Sequence, residues 1–279
     1  MIKEPTIRLI YHLWIPKDLD NDMKKMLDIH FACLRDSIHL FNNVLFVLSV
    51  DDVTDKEIIK KYEDEILSFG YRGNLQFKVV ENDSNLREGL TYYNEIIKKL
   101  GELDGLTFFA HDKGLTNVKN YIFDSIGQWV TFMYWDNLRD LETIKKRLLE
   151  NVELCSGTLM LKSPFLSNKN KWYYVGSFHW CNFQRLEYVL KNKGDILPTY
   201  ADRLVAENFL GNHLSVEKDL PNQKMTTTGI YFYETDKPEC FDFYRNSPNL
   251  IKAYLDDEIL HNEFLQYYNK ILKNVENNT

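Results

Sequence analysis

The sequence predicts an α/β fold: a mostly parallel sheet flanked by helices, with further helices on the C-terminal side. Two observations carry this expectation. Strand-like and helix-like segments alternate through the first 115 residues, the order that builds right-handed βαβ units. Three of the four strand-like segments also end in polar clusters, at 51–52, 81–83 and 111–113, as they would if one rim of the sheet gathered ligand-binding groups.

The elements follow in order. "IRLIYHLWI" (7–15) is a strand, and 21–41 has the apolar spacing of a helix, with Asn21 or Asp22 placed to cap it. "NVLFVLSV" (43–50) is a buried strand. The segment 54–70 is a helix, capped by Thr54 and stopped by Gly70. A strand at 75–82, a helix at 87–103 and a strand at 106–110 complete the alternation. Beyond it, 121–150 reads as one long helix and "VELCSGTLML" as a strand. Residues 170–192 run from an aromatic strand or loop into a helix. Residues 200–214 are helical, "GIYFYE" is a late strand, and 250–275 forms terminal helices. No internal repeat and no Pro/Gly/Ser-rich linker appears, so a single domain over 1–279 is expected.

The composition is that of a globular chain, 44% hydrophobic and 27% charged, and its 14% of aromatic residues suits both core packing and stacking on sugars or bases. The net charge of -7 argues against a nucleic-acid partner, which calls for a basic face. Cys33, Cys155, Cys181 and Cys240 form no CxxC pair and read as reduced thiols of a cytoplasmic protein without structural zinc. No apolar leader begins the chain and no run of about 18 apolar residues crosses it, so neither a signal peptide nor a membrane span is expected. Peripheral contact with a membrane stays open, through a partner or a lipid-linked substrate.

Several constellations carry chemistry, each with a plainer alternative. Asp51 and Asp52 end a buried strand, where a carboxylate accepts hydrogen bonds from a base or ribose; equally, both acids cap the next helix. Asn82 and its polar neighbours precede a helix start with Arg87, a pattern that suits phosphate or a plain capped helix. In "HDKG", Asp112 suits Mg2+ or Mn2+, His111 adds a nitrogen better suited to Mn2+, Lys113 neutralises a diphosphate and Gly114 admits close backbone approach; otherwise this is a polar turn. "WYYVGSFHWCN" is a sugar platform around Gly176 with His179 and Trp180, or core. Arg203 and Glu207 stand four apart on one helix face, with Glu207 a candidate general base or half of a surface ion pair.

Taken together, these stretches resemble the GT-A-fold glycosyltransferases. "LSVDDVTDKE" resembles their "VDDGSTD" segment, "NLREGLTYYNEII" an Asn/Arg helix start facing the donor, and "LTFFAHDKG" the strand end that carries their metal-binding DxD. More narrowly, the chain resembles bacterial surface-polysaccharide (capsule or O-antigen) transferases with an H-S/T-K-G signature. "IYHLW", "WVTFMYWDNL", "GSFHWCN" and "DRLVAEN" match their further segments in order over roughly 7–215.

The resemblance implies a transferase moving a sugar, a hexosyl group in that class, from a nucleotide-sugar donor to a glycan or lipid-linked glycan acceptor. It would act in the cytoplasm, or at the inner face of the membrane. Residues 1–115 would be the nucleotide-sugar-binding half and 116–279 the acceptor-side half. By position, Tyr11, His12, Asp51, Asp52, Asn82, Arg87, His111, Lys113 and Gly114 would meet the donor. Asp112 and Glu207 would be catalytic, with Asp136 and Asp202 as further candidate bases. Trp129, Gly176, His179, Trp180 and Arg203 would line the acceptor side, and Asp112 with His111 would hold Mn2+ or Mg2+. The chain departs from the pattern: Asp112 replaces Ser or Thr, Val53 replaces Gly, and there is no true DxD. These departures leave Lys113 as the alternative to a metal. The main alternative function is a nucleotide- or glycan-binding protein without turnover; a phosphoesterase using His111 and Asp112 lacks further spaced ligands.

Overall fold

A computed structural model describes residues 4–118, 122–161, 172–219, 243–255 and 257–277. Six strands form one sheet in the order β3-β2-β1-β4-β6-β5. β1 (Ile7–Ile15), β2 (Asn43–Val50), β3 (Asn74–Glu81) and β4 (Leu106–His111) are parallel. β6 (Trp172–Cys181) runs antiparallel to β4, and β5 (Cys155–Leu161) antiparallel to β6.

β1 is almost wholly apolar because it is covered on both faces, as parallel strands are. Its alternation sorts the two cores. Leu9, Tyr11 and Leu13 join the face covered by α1 (Asn21–Ser37) and α4 (Phe123–Leu138). Ile10 joins the face covered by α3 (Glu88–Glu95), α6 (Phe183–Lys193) and α7 (Val205–His213). β3 is the exposed edge, and Lys78 on it pairs with buried Glu95. The terminal helix Glu258–Glu276 is tied to α4 by the Tyr268 hydroxyl, which donates to Asp124 Oδ1 at 2.7 Å.

The α/β expectation holds, and its differences from the structure have local causes. Asp55 rather than Thr54 caps α2 (Lys56–Leu67), its carboxylate accepting from Ile58 N at 3.0 Å. The expected helix 87–103 starts one residue later, because Arg87 has φ 48, and breaks into α3 and a 3-10 turn (Ile97–Glu102) at Ile96, where φ opens to -116. The expected helix 121–150 breaks after Leu138, where Asp140 caps a new helix, α5 (Leu141–Lys145). The 200–214 helix begins only at Val205, since the Asp202 side chain caps the turn before it, accepting from Leu204 N at 2.7 Å. The ends of β2 and β4 are not neighbours: β1 lies between them. Cys33, Cys155 and Cys181 are free and buried, whereas Cys240 and "GIYFYE" lie outside the described residues. No helix among the described residues is long and apolar enough to cross a membrane.

Candidate functional site

The strand order reverses direction between β1 and β4, so the crevice beyond their carboxyl ends is the topological switch point where open α/β sheets bind ligands. A cleft of about 230 Å3 lies there. It brings together His12, Asn82, Arg87, His111, Asp112, Lys113 and Gly114, all sequence candidates. His12 and His111 are register partners on β1 and β4.

Three consecutive residues of the "HDK" turn are each fixed to a different element. His111 Nε2 donates to Gly176 O in β6 at 2.8 Å. Asp112 Oδ2 accepts from Trp14 N in β1 at 2.9 Å. The Lys113 carbonyl accepts from His30 Nε2 in α1 at 2.9 Å. Since a carbonyl only accepts, that bond fixes the His30 tautomer and makes Nδ1 an acceptor, with the Tyr11 and Tyr134 hydroxyls each 3.0 Å from it. Gly114 then turns with φ 91, which suits glycine.

This pinning aims the Lys113 ammonium outward, and its Nζ lies 3.3 Å from Glu207 Oε1 on the first turn of α7. Two glycines let α7 come that close. A Cβ on Gly211 would sit 1.8 Å from Trp172 O, and one on Gly89 would sit 2.1 Å from Asp202 O, just before the helix.

Burial sets the protonation states. It lowers His12 to about 4 and His111 to about 3, where the Lys113 charge adds to the effect, so both rings are neutral at pH 7. His12 Nδ1 is 2.8 Å from the Thr91 hydroxyl. Burial lifts Asp112 to about 8, against the pull of the Trp14 amide and with the help of Glu88, so its carboxyl is mostly protonated at pH 7. The strained backbone of Arg87 (φ 48, ψ -136) sits at the cleft, as strain at functional positions tends to.

The remaining sequence candidates lie elsewhere. Tyr11 is buried on the opposite face of β1 from His12, so it supports the floor instead of meeting a ligand. Asp51 stands outside the cleft lining: Oδ1 accepts from Trp14 Nε1 (3.1 Å) and Asn82 Nδ2 (2.8 Å), and Oδ2 from Lys17 N (3.0 Å). Burial raises the Asp51 pKa, but these three bonds outweigh it and hold the carboxylate below its usual range. Asp52 closes its own turn, accepting from Thr54 N at 2.8 Å and from the Thr54 hydroxyl at 2.6 Å.

On the expected acceptor side, Trp129, His179 and Trp180 are buried, which corrects their expected place on a cleft wall. Trp180 Nε1 donates to Asn137 O at 2.8 Å while its ring stacks on Phe41, and His179 Nε2 meets the Tyr92 hydroxyl at 3.1 Å. These are core contacts: an indole with no exposed surface cannot touch a sugar. Gly176 serves through its carbonyl, on His111. Arg203 is exposed and precedes α7, so it shares no helix face with Glu207. Asp136 accepts from the Thr158 hydroxyl at 2.6 Å. Ser84, one of the polar neighbours of Asn82, also lines the cleft; sequence reasoning missed Trp14, Glu88, Leu115, Thr116 and Asn117 there, of which Trp14 was findable, because it follows His12 by two in a strand.

The donor set does not fit a protein-built metal centre. Among the described residues no three His, Cys, Asp or Glu side chains converge as ligands. His111 directs its N–H at Gly176, and Asp112 already uses one oxygen on Trp14.

The fold and cleft thus define an α/β protein with a polar, cation-bearing site at the sheet's switch point. No family model matches the chain, and no curated protein sequence does. Among solved structures, the chain is similar to the crystal structure of core-mannan synthase A (CmsA/Ktr4) from Aspergillus fumigatus in its Mn/GDP form. Identity is 13%, over 80% of this chain and 73% of that one, with a TM-score of 0.30, a likeness too slight to carry an argument.

Proposed function

We propose that the protein is a nucleotide-sugar-dependent glycosyltransferase whose donor diphosphate occupies the cleft at the ends of β1 and β4. The acceptor is a glycan or lipid-linked glycan of bacterial surface-polysaccharide assembly, reached on the cytoplasmic side, at the membrane face where the acceptor is lipid-linked. The observation that carries this reading is the Lys113–Glu207 contact: one cation and one carboxylate, from opposite halves of the chain, meet beside the cleft.

Glycosyl transfer needs both groups. As the anomeric carbon–oxygen bond breaks, its electron pair leaves with the nucleoside diphosphate, and preorganised cations stabilise that charge. Lys113 and Arg87 are the cations of the cleft named in this role. The acceptor hydroxyl gives its proton to a carboxylate as its oxygen bonds the sugar, and Glu207 takes that role. Before donor binds, Lys113 neutralises Glu207; once phosphate oxygens draw the ammonium away, the carboxylate is free for the acceptor. Neutral His12 and His111 and the mostly protonated Asp112 give the donor a floor that does not repel it.

A second reading, nucleotide binding without turnover, is favoured by the cleft lining, which includes Lys113 and Arg87 but not Glu207. A screen of UDP-, GDP-, CMP- and dTDP-sugars by thermal shift, with Mn2+ and with EDTA, tests the proposal. It expects stabilisation by one nucleotide class, weakened in Lys113→Ala. Failure of every nucleotide to stabilise the protein rejects it, and binding without donor hydrolysis moves it to the second reading.

A further inference from the structure

One aromatic residue of the cleft has no part in the chemistry above. Trp14 lies two residues beyond His12 on the same face of β1 and lines the same cleft as Arg87 and Lys113. It packs against the core yet stays partly exposed, whereas Trp129, Trp135, Trp172 and Trp180 are all buried. Its indole edge is fixed, because Nε1 donates to Asp51 Oδ1 at 3.1 Å. Asp51 is fixed in turn by Asn82 Nδ2 at 2.8 Å and by Lys17 N at 3.0 Å. The ends of β1, β2 and β3 therefore hold one ring plane in place. Among the described residues no aromatic ring stacks on that indole.

A flat, oriented π face in one cleft with two cations is the chemical complement of a nucleoside diphosphate: a base to stack and phosphates to neutralise. We propose that Trp14 is the platform on which the nucleobase stacks, and that Asp51 is a positioning residue that fixes the indole and makes no contact with the base. This inference rests on the nucleotide-sugar reading and adds the subsite within it. It reverses the sequence expectation for Asp51, whose oxygens are engaged by three protein donors.

Because Trp14 is the tryptophan that is not buried, a ligand in the cleft reaches its ring before the other four, and the difference between the wild type and Trp14→Phe isolates its emission. The probes are UDP, GDP, CDP, dTDP and inorganic pyrophosphate, with calorimetric titration as an independent measure of binding. The expected result is that a nucleoside diphosphate quenches the emission while pyrophosphate binds without quenching. Trp14→Phe removes the quench but keeps most of the affinity. Trp14→Ala raises Kd for the nucleoside diphosphate about 10- to 100-fold and leaves pyrophosphate binding unchanged, which also shows that the variant is folded. Asp51→Ala weakens nucleoside diphosphate binding, not pyrophosphate binding, and shifts the Trp14 emission.

Unchanged nucleoside diphosphate affinity in Trp14→Ala overturns the subsite and leaves the transferase reading standing. Pyrophosphate binding with no preference for any nucleoside diphosphate does the same. No binding of any nucleotide to the wild type removes the reading and the subsite together.

Discussion

The Lys113 ammonium and the Glu207 carboxylate lie 3.3 Å apart although ninety-four residues separate them in the chain. Lys113 is on the turn after β4 and Glu207 on the first turn of α7. Both side chains are about one-fifth exposed, so the pair is partly screened and can still be reached by a ligand. Glu207→Gln removes the base and leaves an amide for Lys113. Its sugar-transfer rate is expected to fall about 100-fold or more, with nucleotide affinity equal to or above that of the wild type. Lys113→Ala is expected to lose about 10- to 100-fold in diphosphate affinity, the scale of a charge-assisted hydrogen bond. Titration calorimetry and steady-state rates separate the two effects; equal rates in Glu207→Gln and the wild type would remove Glu207 from the mechanism.

Arg87 is held at φ 48 and ψ -136, a conformation open to glycine but strained by about 1–3 kcal/mol for other residues. Arg87→Gly is expected to raise the unfolding midpoint while lowering affinity for nucleoside diphosphate. Thermal melts paired with binding isotherms measure both. A variant that is both less stable and unchanged in binding would mean that the strain serves no ligand.

The seat of α7 depends on glycine at two close approaches. Gly211→Ala puts a methyl 1.8 Å from Trp172 O, so helix or strand must move, and Glu207 moves with the helix. Transfer activity is expected to fall by at least about tenfold, with a loss of stability of about 1–3 kcal/mol as for an overpacked core. Gly89→Ala acts on the turn at Asp202, with a methyl 2.1 Å from its carbonyl, and is expected to do likewise. Chemical denaturation beside an activity assay checks both; a full rate in either variant would show that the helix position is not limiting.

Stability should fall on both sides of neutrality, for different reasons. His12 and His30 are lowered to about 4, and His111 and His179 to about 3, with burial the largest cause in each. Depressed folded values give stability that is present above the unfolded value near 6.5 and lost as pH falls through 4 and 3. Asp112 is raised to about 8, so its contribution is full below the unfolded 3.8 and lost as pH rises through 8. Asp112→Asn imitates the protonated carboxyl. Its midpoint relative to wild type is expected to climb as pH rises from 4 to 8, followed by urea denaturation at each pH. A difference that is flat with pH would contradict the buried, protonated Asp112.

Much of the fold was legible because its signals are local. Strand-like runs marked β1 to β4, three of them ending in polar clusters, and their alternation with helices pointed to a parallel sheet. Helix ends were less so: the expected 87–103 helix breaks at Ile96 by a backbone angle that no neighbouring sequence signal announces. The "HDKG" turn was readable as a site because three ionisable residues followed a buried strand. His30 was not, since its role lies in a carbonyl 83 residues away. The aromatic run at 172–181 misled for a physical reason: the Trp180 N–H and His179 Nε2 find their partners inside the core, and composition alone cannot tell such a strand from a sugar platform.

The measurement that bears most directly on the central claim is release of nucleoside diphosphate from a panel of nucleotide sugars by the wild type, Glu207→Gln and Lys113→Ala. Turnover of one donor class by the wild type, reduced about 100-fold or more in both variants, is the result predicted here. Donor turnover that is indifferent to both substitutions, or no turnover of any donor, would contradict the account.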